Sequence, residues 1–228
     1  MVLSIDMIRD KPFEIGETYH VYNRGAHKDL IFRSKSDYER LVLILFLANS
    51  TDPVNIRALL KKNQGRTFAE IIALESRSKP LVSILAWAFM PNHFHLVLRQ
   101  EDEMGITRFM RKAMTAYTMY FNEKNEHSGV LLQGRFKSRH VGTEPYFRYI
   151  FSYLHLNPVS LVEPLWEEKG IGDPNTVREF LAAYPYSSFY DYSVGERPWR
   201  QLIAYEQAPD FMKEQNDLEE LLRFYKTE

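Results

Sequence analysis

The segment "PLVSILAWAFMPNHFHLVLRQ", residues 80–100, joins two apolar stretches through a turn signal. Residues 80–90 are almost entirely apolar, which is typical of a strand at the centre of a sheet. Pro91 and Asn92 favour a turn, and residues 93–100 resume as a second strand. The segment therefore predicts a β-hairpin, from which the flanking elements can be read in both directions.

Two histidines open the second strand of this hairpin. Because side chains alternate along a strand, His93 and His95 project to the same side and can present two imidazoles to one cation. With seven histidines in 228 residues, an H-x-H pair arises by chance about 0.2 times per chain. The histidine pair alone is therefore weak evidence for a metal site, and a further ligand is needed. No H-x-H-x-D-H sequence follows it and no second H-x-[ST] accompanies it, which disfavours metallo-β-lactamase and two-histidine phosphoesterase sites.

The elements around the hairpin predict an α+β fold. Residues 17–25 alternate like a strand and end in a turn, and residues 34–50 read as a capped apolar helix. Polar pieces at 51–79 read as an insertion between core elements. Residues 105–126 have the spacing of an amphipathic helix, with the Met and Tyr of its apolar stripe in the core. The order strand, helix, strand, strand, helix, strand, helix predicts an antiparallel sheet with helices on one face.

The last strand and helix of this order carry charge and aromatic residues. Residues 130–142 alternate, so Arg135, Lys137 and Arg139 fall at period two on one face of a predicted strand. Three cations in this arrangement suit a phosphate backbone. The helix that follows has Pro145 in its first turn, and Pro158 disfavours helical geometry at the residue before it. We therefore expect the helix to end near residue 157.

This helix offers partners for the histidines. Tyr149, Tyr153 and Asn157 are spaced by four residues and share one helical face. A phenol has a pKa near 10 and is a poor nucleophile, yet metal polarisation of a phosphodiester would let a tyrosine attack and form a phosphotyrosine. Asn157 can offer a carbonyl oxygen as a third metal ligand. His155 faces away from Tyr153 on a helix, so we exclude it from the site.

Four motifs in this order resemble the REP-associated tyrosine transposases, relatives of the single-tyrosine HUH transposases. They are "YNRG" (22–25), "MPNHFHLVL" (90–98), "SGVLLQGRFKS" (128–138) and "YLHLNPV" (153–159), so the resemblance spans most of residues 17–162. It implies a ferredoxin-like catalytic fold and cleavage of single-stranded DNA beside hairpins of repeated extragenic palindromes. It also implies a divalent metal, Mg²⁺ or Mn²⁺.

The resemblance assigns roles to individual residues. The metal-binding pair falls on His93 and His95, the nucleophile on Tyr153, and the polar metal ligand four residues later on Asn157. Tyr149, on the same helix, is the next candidate for the attacking phenol. The product would be a covalent 5′-phosphotyrosine and a free 3′-hydroxyl.

Charge is distributed unevenly along the chain, although the formal net charge is only −1. Residues 104–141 contain seven basic and two acidic residues, a net charge of +5, whereas residues 158–228 have a net charge of −7. A basic middle can place a cationic surface beside an anionic substrate. We expect Arg24, Arg135, Lys137 and Arg139 to contact DNA phosphates, which position DNA rather than read its sequence.

Composition and length bound the remaining possibilities. The chain has no cysteine, so disulfides, thiolate metal sites and cysteine nucleophiles are excluded. Its opening residues do not resemble a signal peptide and it has no long apolar run, so we expect a cytoplasmic protein without a membrane partner. We assign residues 1–162 to the catalytic domain and residues 163–228 to a helical and loop extension packed on it. The protein would act as a monomer or a homodimer.

Two other functions compete with a nuclease. A protein derived from a transposase can retain binding of single-stranded or hairpin DNA without cleaving it. A zinc-dependent hydrolase can use the same histidines, with metal-dependent turnover and no covalent protein–DNA adduct. Replacement of Tyr153 distinguishes the non-catalytic DNA-binding protein from a nuclease. A search for a covalent protein–DNA adduct distinguishes the zinc-dependent hydrolase from a nuclease.

Overall fold

A computed structural model describes residues 12–53, 55–75, 79–214 and 218–225. Residues 1–11, in which we expected no signal peptide, lie outside the described ranges. The first nine regular elements are β1 Thr18–Arg24, α1 Lys35–Ala48, α2 Ile56–Lys62, α3 Phe68–Leu74, β2 Val82–Met90, β3 His93–Gln100, α4 Gly105–Asn125, β4 Lys137–His140 and α5 Glu144–Leu156. The later helices are α6 Trp166–Lys169, α7 Pro174–Ala183, α8 Phe189–Ser193, α9 Asp210–Glu214 and α10 Leu218–Tyr225.

The described strands form a four-stranded antiparallel sheet in the order β2-β3-β1-β4. Strands β1 and β3 lie at the centre, the β2-β3 hairpin is present, and helices separate β1 from β2 and β3 from β4. This connectivity and order are those of a split βαβ, ferredoxin-like arrangement. The predicted α+β class and the antiparallel sheet are confirmed.

The two crossover helices, α1 and α4, pack together on one face of the sheet. The ring of Phe32 stacks on Tyr38 of α1, with centroids 4.1 Å apart. It also lies 5.6 Å from Phe89 of β2 and 5.6 Å from Tyr117 of α4. Helix α5 lies on the opposite face, against the side of β3 that carries the histidines. Helices therefore cover both faces of the sheet, and the prediction of helices on one face was wrong, because α5 packs on the histidine side. This coverage explains why every residue of β2 is buried.

The buried side chain of Asn49 joins the end of α1 to the start of β2. Its Oδ1 accepts hydrogen bonds from the backbone N–H groups of Leu81 and Val82, at 2.9 and 3.0 Å. Its Nδ2 donates to the carbonyl of Val82 at 2.8 Å. Three backbone groups at the entry to a buried strand therefore depend on one amide.

The C-terminal region covers the outer edge of β2. Backbone hydrogen bonds connect Phe89 to Tyr186, Trp87 to Ser188 and Ile84 to Ala204. An exposed strand edge can pair with another chain, and covering it removes that hazard. Helix α10 packs on α5, where the ring of Tyr225 stacks near Tyr149. The extension therefore contacts the β2 edge of the sheet and helix α5.

The predicted strand over residues 130–142 was too long. The structure confines β4 to Lys137–His140, and Arg135 precedes it. Gly134 adopts a positive φ of 66°, and its N–H donates to the carbonyl of Leu132, so the chain turns there instead of extending. Lys137 and Arg139 keep the predicted period of two, whereas Arg135 does not belong to that strand face.

None of the helices in the described ranges combines the length and the apolar character of a membrane-spanning helix.

Replacing Asn49 with alanine tests the link between α1 and β2. Loss of the amide leaves buried backbone groups without partners, so we expect the free energy of unfolding to fall by about 3 kcal/mol. The exposed Asn175 provides the matched control, and Asn175→Ala should cost less than about 0.5 kcal/mol. Urea unfolding followed by circular dichroism measures both. Equal stabilities of the two variants would contradict this role of Asn49.

Candidate functional site

The paired histidines begin β3 and project into a cavity of about 370 Å³. Strand pairing sets His93 opposite Arg24 and His95 opposite Tyr22 of β1, so these four side chains share one face. The cavity is lined by Tyr22, Asn23, Arg24, Lys28, Asn92, His93, His95 and Tyr153. The site thus combines imidazole, amide, phenol and cationic groups from several elements.

His93 lies between two amide oxygens. Its Nδ1 is 2.6 Å from Oδ1 of Asn92, and its Nε2 is 3.0 Å from Oδ1 of Asn157. Burial lowers the pKa of His93, the Asn157 contact opposes this shift and the charge of Arg24 adds to it. A neutral imidazole carries one N–H, which can serve only one of the two oxygens. A cation between Nε2 and Oδ1 would complete the second contact.

His95 is almost completely buried. Its Nδ1 lies 2.8 Å from Nε2 of His20, a histidine of β1. Burial lowers the pKa of His95 well below its ordinary value, with smaller effects from the neighbouring His20 and His93. The ring is therefore neutral near pH 7, the form in which histidine binds metals.

Helix α5 brings a phenol and an amide to the histidines. Oγ1 of Thr143 caps the helix by accepting a hydrogen bond from a backbone N–H of the first turn, and the helix ends at Leu156, near the predicted residue 157. Asn157 nevertheless keeps helical dihedrals before Pro158 and continues into a 3-10 helix. Tyr153 and Asn157 consequently stand one turn apart on the side facing β3. The Tyr153 ring lies 5.4 Å from that of His95, nearly perpendicular to it.

The phenol of Tyr153 is difficult to ionise. Burial is the main cause that raises its pKa to about 12, and the charge of Glu167 and neighbouring tyrosines add to it. Near pH 7 the group is a neutral phenol, so attack on a phosphate requires help from a cation at the phosphate. Tyr149 stacks between Tyr146 and Tyr225 and does not line the cavity.

The donor set around the cavity suits a divalent cation. No three histidine, cysteine, aspartate or glutamate side chains of the described ranges cluster as a metal group. A cation here would be held by His93, His95 and the amide oxygen of Asn157. Nε2 of His93 and Oδ1 of Asn157 lie 3.0 Å apart, close enough for one ion to contact both.

Basic side chains lie beside the cavity. Lys137 pairs with Tyr22 and Arg139 with His20, so both cations share the face of the histidines. Arg139 also stacks on Tyr146 of α5, with its guanidinium 4.3 Å from the ring centroid. Arg24 is near enough to lower the pKa of His93. The exposed Arg135 lies outside β4, so strand pairing does not assign it to this face.

The other histidines have different surroundings. His140 projects from the opposite face of β4 and contacts Glu17, with Nε2 2.6 Å from Oε2. His155 is fully buried and faces away from the cavity. Its Nε2–H donates to Oγ of Ser188, which itself donates to the carbonyl of Trp87. His20, left out of the candidate site on sequence grounds, lies beside His95, because pairing between β1 and β3 brings distant segments together.

His155 should make stability depend on pH. Burial lowers its pKa in the folded protein to about 3, whereas the unfolded value is 6.5. The unfolded chain therefore binds an extra proton below pH 6.5, and stability falls as the pH drops from 6.5 towards 3. His155→Gln, which keeps a donor for Ser188, should reduce this slope by about 1.4 kcal/mol per pH unit near pH 5. Urea unfolding at several pH values measures it, and an unchanged slope would contradict the assignment.

Comparison with known proteins identifies one family model. Residues 53–157 match the family described as IS200-like transposases. The matched segment contains both cavity histidines and both helix α5 residues that face them. No curated protein matches the sequence.

Among solved structures, the chain is similar to a REP-associated tyrosine transposase bound to a REP hairpin, with 14% sequence identity and a TM-score of 0.48. The alignment covers 90% of this chain and 93% of that chain. The resemblance to transposases inferred from the sequence is confirmed over residues 53–157, where this chain is similar to the IS200-like transposases.

Proposed function

We propose that this protein is a metal-dependent endonuclease and strand transferase that acts on single-stranded DNA next to hairpins. One observation carries the proposal. His93 and His95 from the sheet line one cavity with Tyr153 of α5, and Asn157, directly after α5, contacts His93. These are a metal-binding set and a nucleophile within reach of one phosphate. We assign catalysis to residues 1–162 and treat residues 163–228 as an extension.

The chemical step is an exchange of one ester for another. Oη of Tyr153 attacks the phosphorus and forms a new P–O bond while the bond from phosphorus to the 3′-oxygen breaks. The phenol loses its proton to solvent, and the departing 3′-oxygen gains one. A bound Mg²⁺ or Mn²⁺ would supply Lewis acidity that neutralises the charge developing on the phosphate. His93, His95 and Asn157 would hold that ion. Attack of a 3′-hydroxyl on the 5′-phosphotyrosine reverses the step or joins another end.

The basic face supports a nucleic acid substrate. Arg24, Lys137 and Arg139 lie on the histidine side of the sheet, and Arg135 lies on the preceding turn. Cations at this spacing neutralise successive phosphates and give affinity that falls with salt. Arg139 combines a charge with the ring of Tyr146, an arrangement that accommodates both a phosphate and a stacked base.

A DNA-binding protein without nuclease activity is the second candidate. The observation that favours it is the raised pKa of Tyr153, about 12, which makes unassisted attack slow. Such a protein would bind DNA with the same basic face, and a chelator would not change its DNA binding. A zinc-dependent hydrolase is the third candidate and would release product without any covalent intermediate.

Replacement of the candidate nucleophile separates these functions. Tyr153→Phe removes the attacking oxygen and keeps the ring, so we expect nicking to fall by roughly 1,000-fold or more. Hairpin binding should change less than about twofold. Tyr149→Phe is the matched control on the same helix and should retain nicking. A labelled hairpin oligonucleotide with Mn²⁺, analysed on a denaturing gel, measures both variants.

Three results would contradict the proposal. Undiminished nicking by Tyr153→Phe would exclude Tyr153 as the nucleophile, and loss of nicking in Tyr149→Phe alone would transfer the role to that residue. Metal-dependent nicking without a protein–DNA adduct resistant to detergent would favour the hydrolase.

Metal dependence can be tested at the amide ligand. A chelator should stop nicking by the parent protein, and added Mn²⁺ should restore it. Asn157→Ala removes one ligand oxygen, so we expect about a tenfold rise in the Mn²⁺ concentration that gives half the maximal rate. Asn125→Ala, at the distant end of α4, is the control and should behave like the parent. Equal Mn²⁺ requirements for both variants would remove Asn157 from the metal site.

A further inference from the structure

We propose that His20 is a positioning residue for the metal site: it accepts a hydrogen bond from Nδ1–H of His95 and so leaves Nε2 of His95 free to bind a cation. This inference rests on the proposed function, because it concerns the same site. It adds a residue that lies outside the four motifs and does not itself touch the cation.

The two imidazoles form a fixed pair in the interior of the sheet. Nε2 of His20 lies 2.8 Å from Nδ1 of His95, and the rings are nearly parallel, 13° apart. His20 is 6% exposed and His95 is 5% exposed. The ring of Tyr22 stacks on His20 at 4.8 Å and limits its rotation. Water therefore cannot replace His20 as the partner of His95 without rearrangement of the sheet surface.

Only one of two proton arrangements is compatible with a metal at His95. If Nε2–H of His20 donates, Nδ1 of His95 is the acceptor and the His95 proton occupies Nε2, which blocks the metal. If Nδ1–H of His95 donates, Nε2 keeps its lone pair. Nδ1 is engaged by His20 in either arrangement, so Nε2 is the nitrogen left for a cation. A hydrogen bond from the second ring nitrogen is how proteins commonly fix a metal-binding histidine.

His93 and His95 each have a different hydrogen-bond acceptor beside Nδ1. Nδ1 of His93 faces Oδ1 of Asn92, an atom that can only accept. When the proton of His93 is on Nδ1, its Nε2 is left for the cation. His20 gives His95 the equivalent acceptor. In that arrangement both metal-facing nitrogens are Nε2, and each histidine has an acceptor at Nδ1.

The test compares His20→Phe, which removes the acceptor, with His20→Gln, whose amide oxygen can still accept. Nitrogen NMR of histidine-labelled protein reports which nitrogen of His95 carries the proton, without metal or DNA. Isothermal titration with Mn²⁺ reports binding. We expect Nδ1–H in the parent, Mn²⁺ binding about 10- to 100-fold weaker in His20→Phe, and recovery to within a few fold in His20→Gln. Amide spectra establish that each variant is folded.

The two readouts distinguish this inference from the proposed function. A parent protein whose His95 carries its proton on Nε2 overturns the inference, even if it nicks DNA and even if His20→Phe fails to fold. Equal Mn²⁺ affinities in the parent and in folded His20→Phe also overturn it, as does a parent that binds no Mn²⁺. Nδ1–H on His95 together with Mn²⁺ binding that depends on His20 supports the inference, even if the parent leaves hairpin DNA uncut.

Discussion

The contact between Nε2 of His93 and Oδ1 of Asn157, at 3.0 Å, ties the sheet to helix α5 and gives the candidate site its shape. A neutral His93 has one proton for two amide oxygens, so only one of its two contacts can be a hydrogen bond at a time. Helix α5 ends at Leu156, and Asn157 keeps helical dihedrals and begins a 3-10 helix that runs through Pro158 to Leu161. Tyr153, one turn earlier on α5, lines the same cavity as His93 and His95.

Burial favours the uncharged forms of His93, His95 and Tyr153. It lowers the pKa of both cavity histidines and raises that of Tyr153, so all three are uncharged near pH 7. Neutral imidazoles are ready to bind a cation, whereas a neutral phenol is not ready to attack. A divalent ion would therefore supply the positive charge that the site requires, while Arg24 and the cations of β4 would hold the substrate phosphates nearby.

Much of the fold could be predicted from local patterns. The hairpin at 80–100, the amphipathic helix α4 and the end of α5 follow from hydrophobic periodicity and from two prolines, and the order of elements gave the α+β class. Arg135 was wrongly placed on the strand face that carries Lys137 and Arg139. Gly134 turns the chain before β4, and the alternation of residues alone cannot reveal that turn. His20 was missed because its role depends on pairing between β1 and β3, which are separated by about 75 residues. The roles of the site residues stay predictions.

Diffraction from crystals soaked in Mn²⁺, recorded to locate its anomalous scattering, tests the central claim most directly. The account predicts a manganese peak about 2.2 Å from Nε2 of His93, Nε2 of His95 and Oδ1 of Asn157, with open positions facing Tyr153. A fully occupied manganese peak elsewhere, with none at His93, His95 and Asn157, would contradict it.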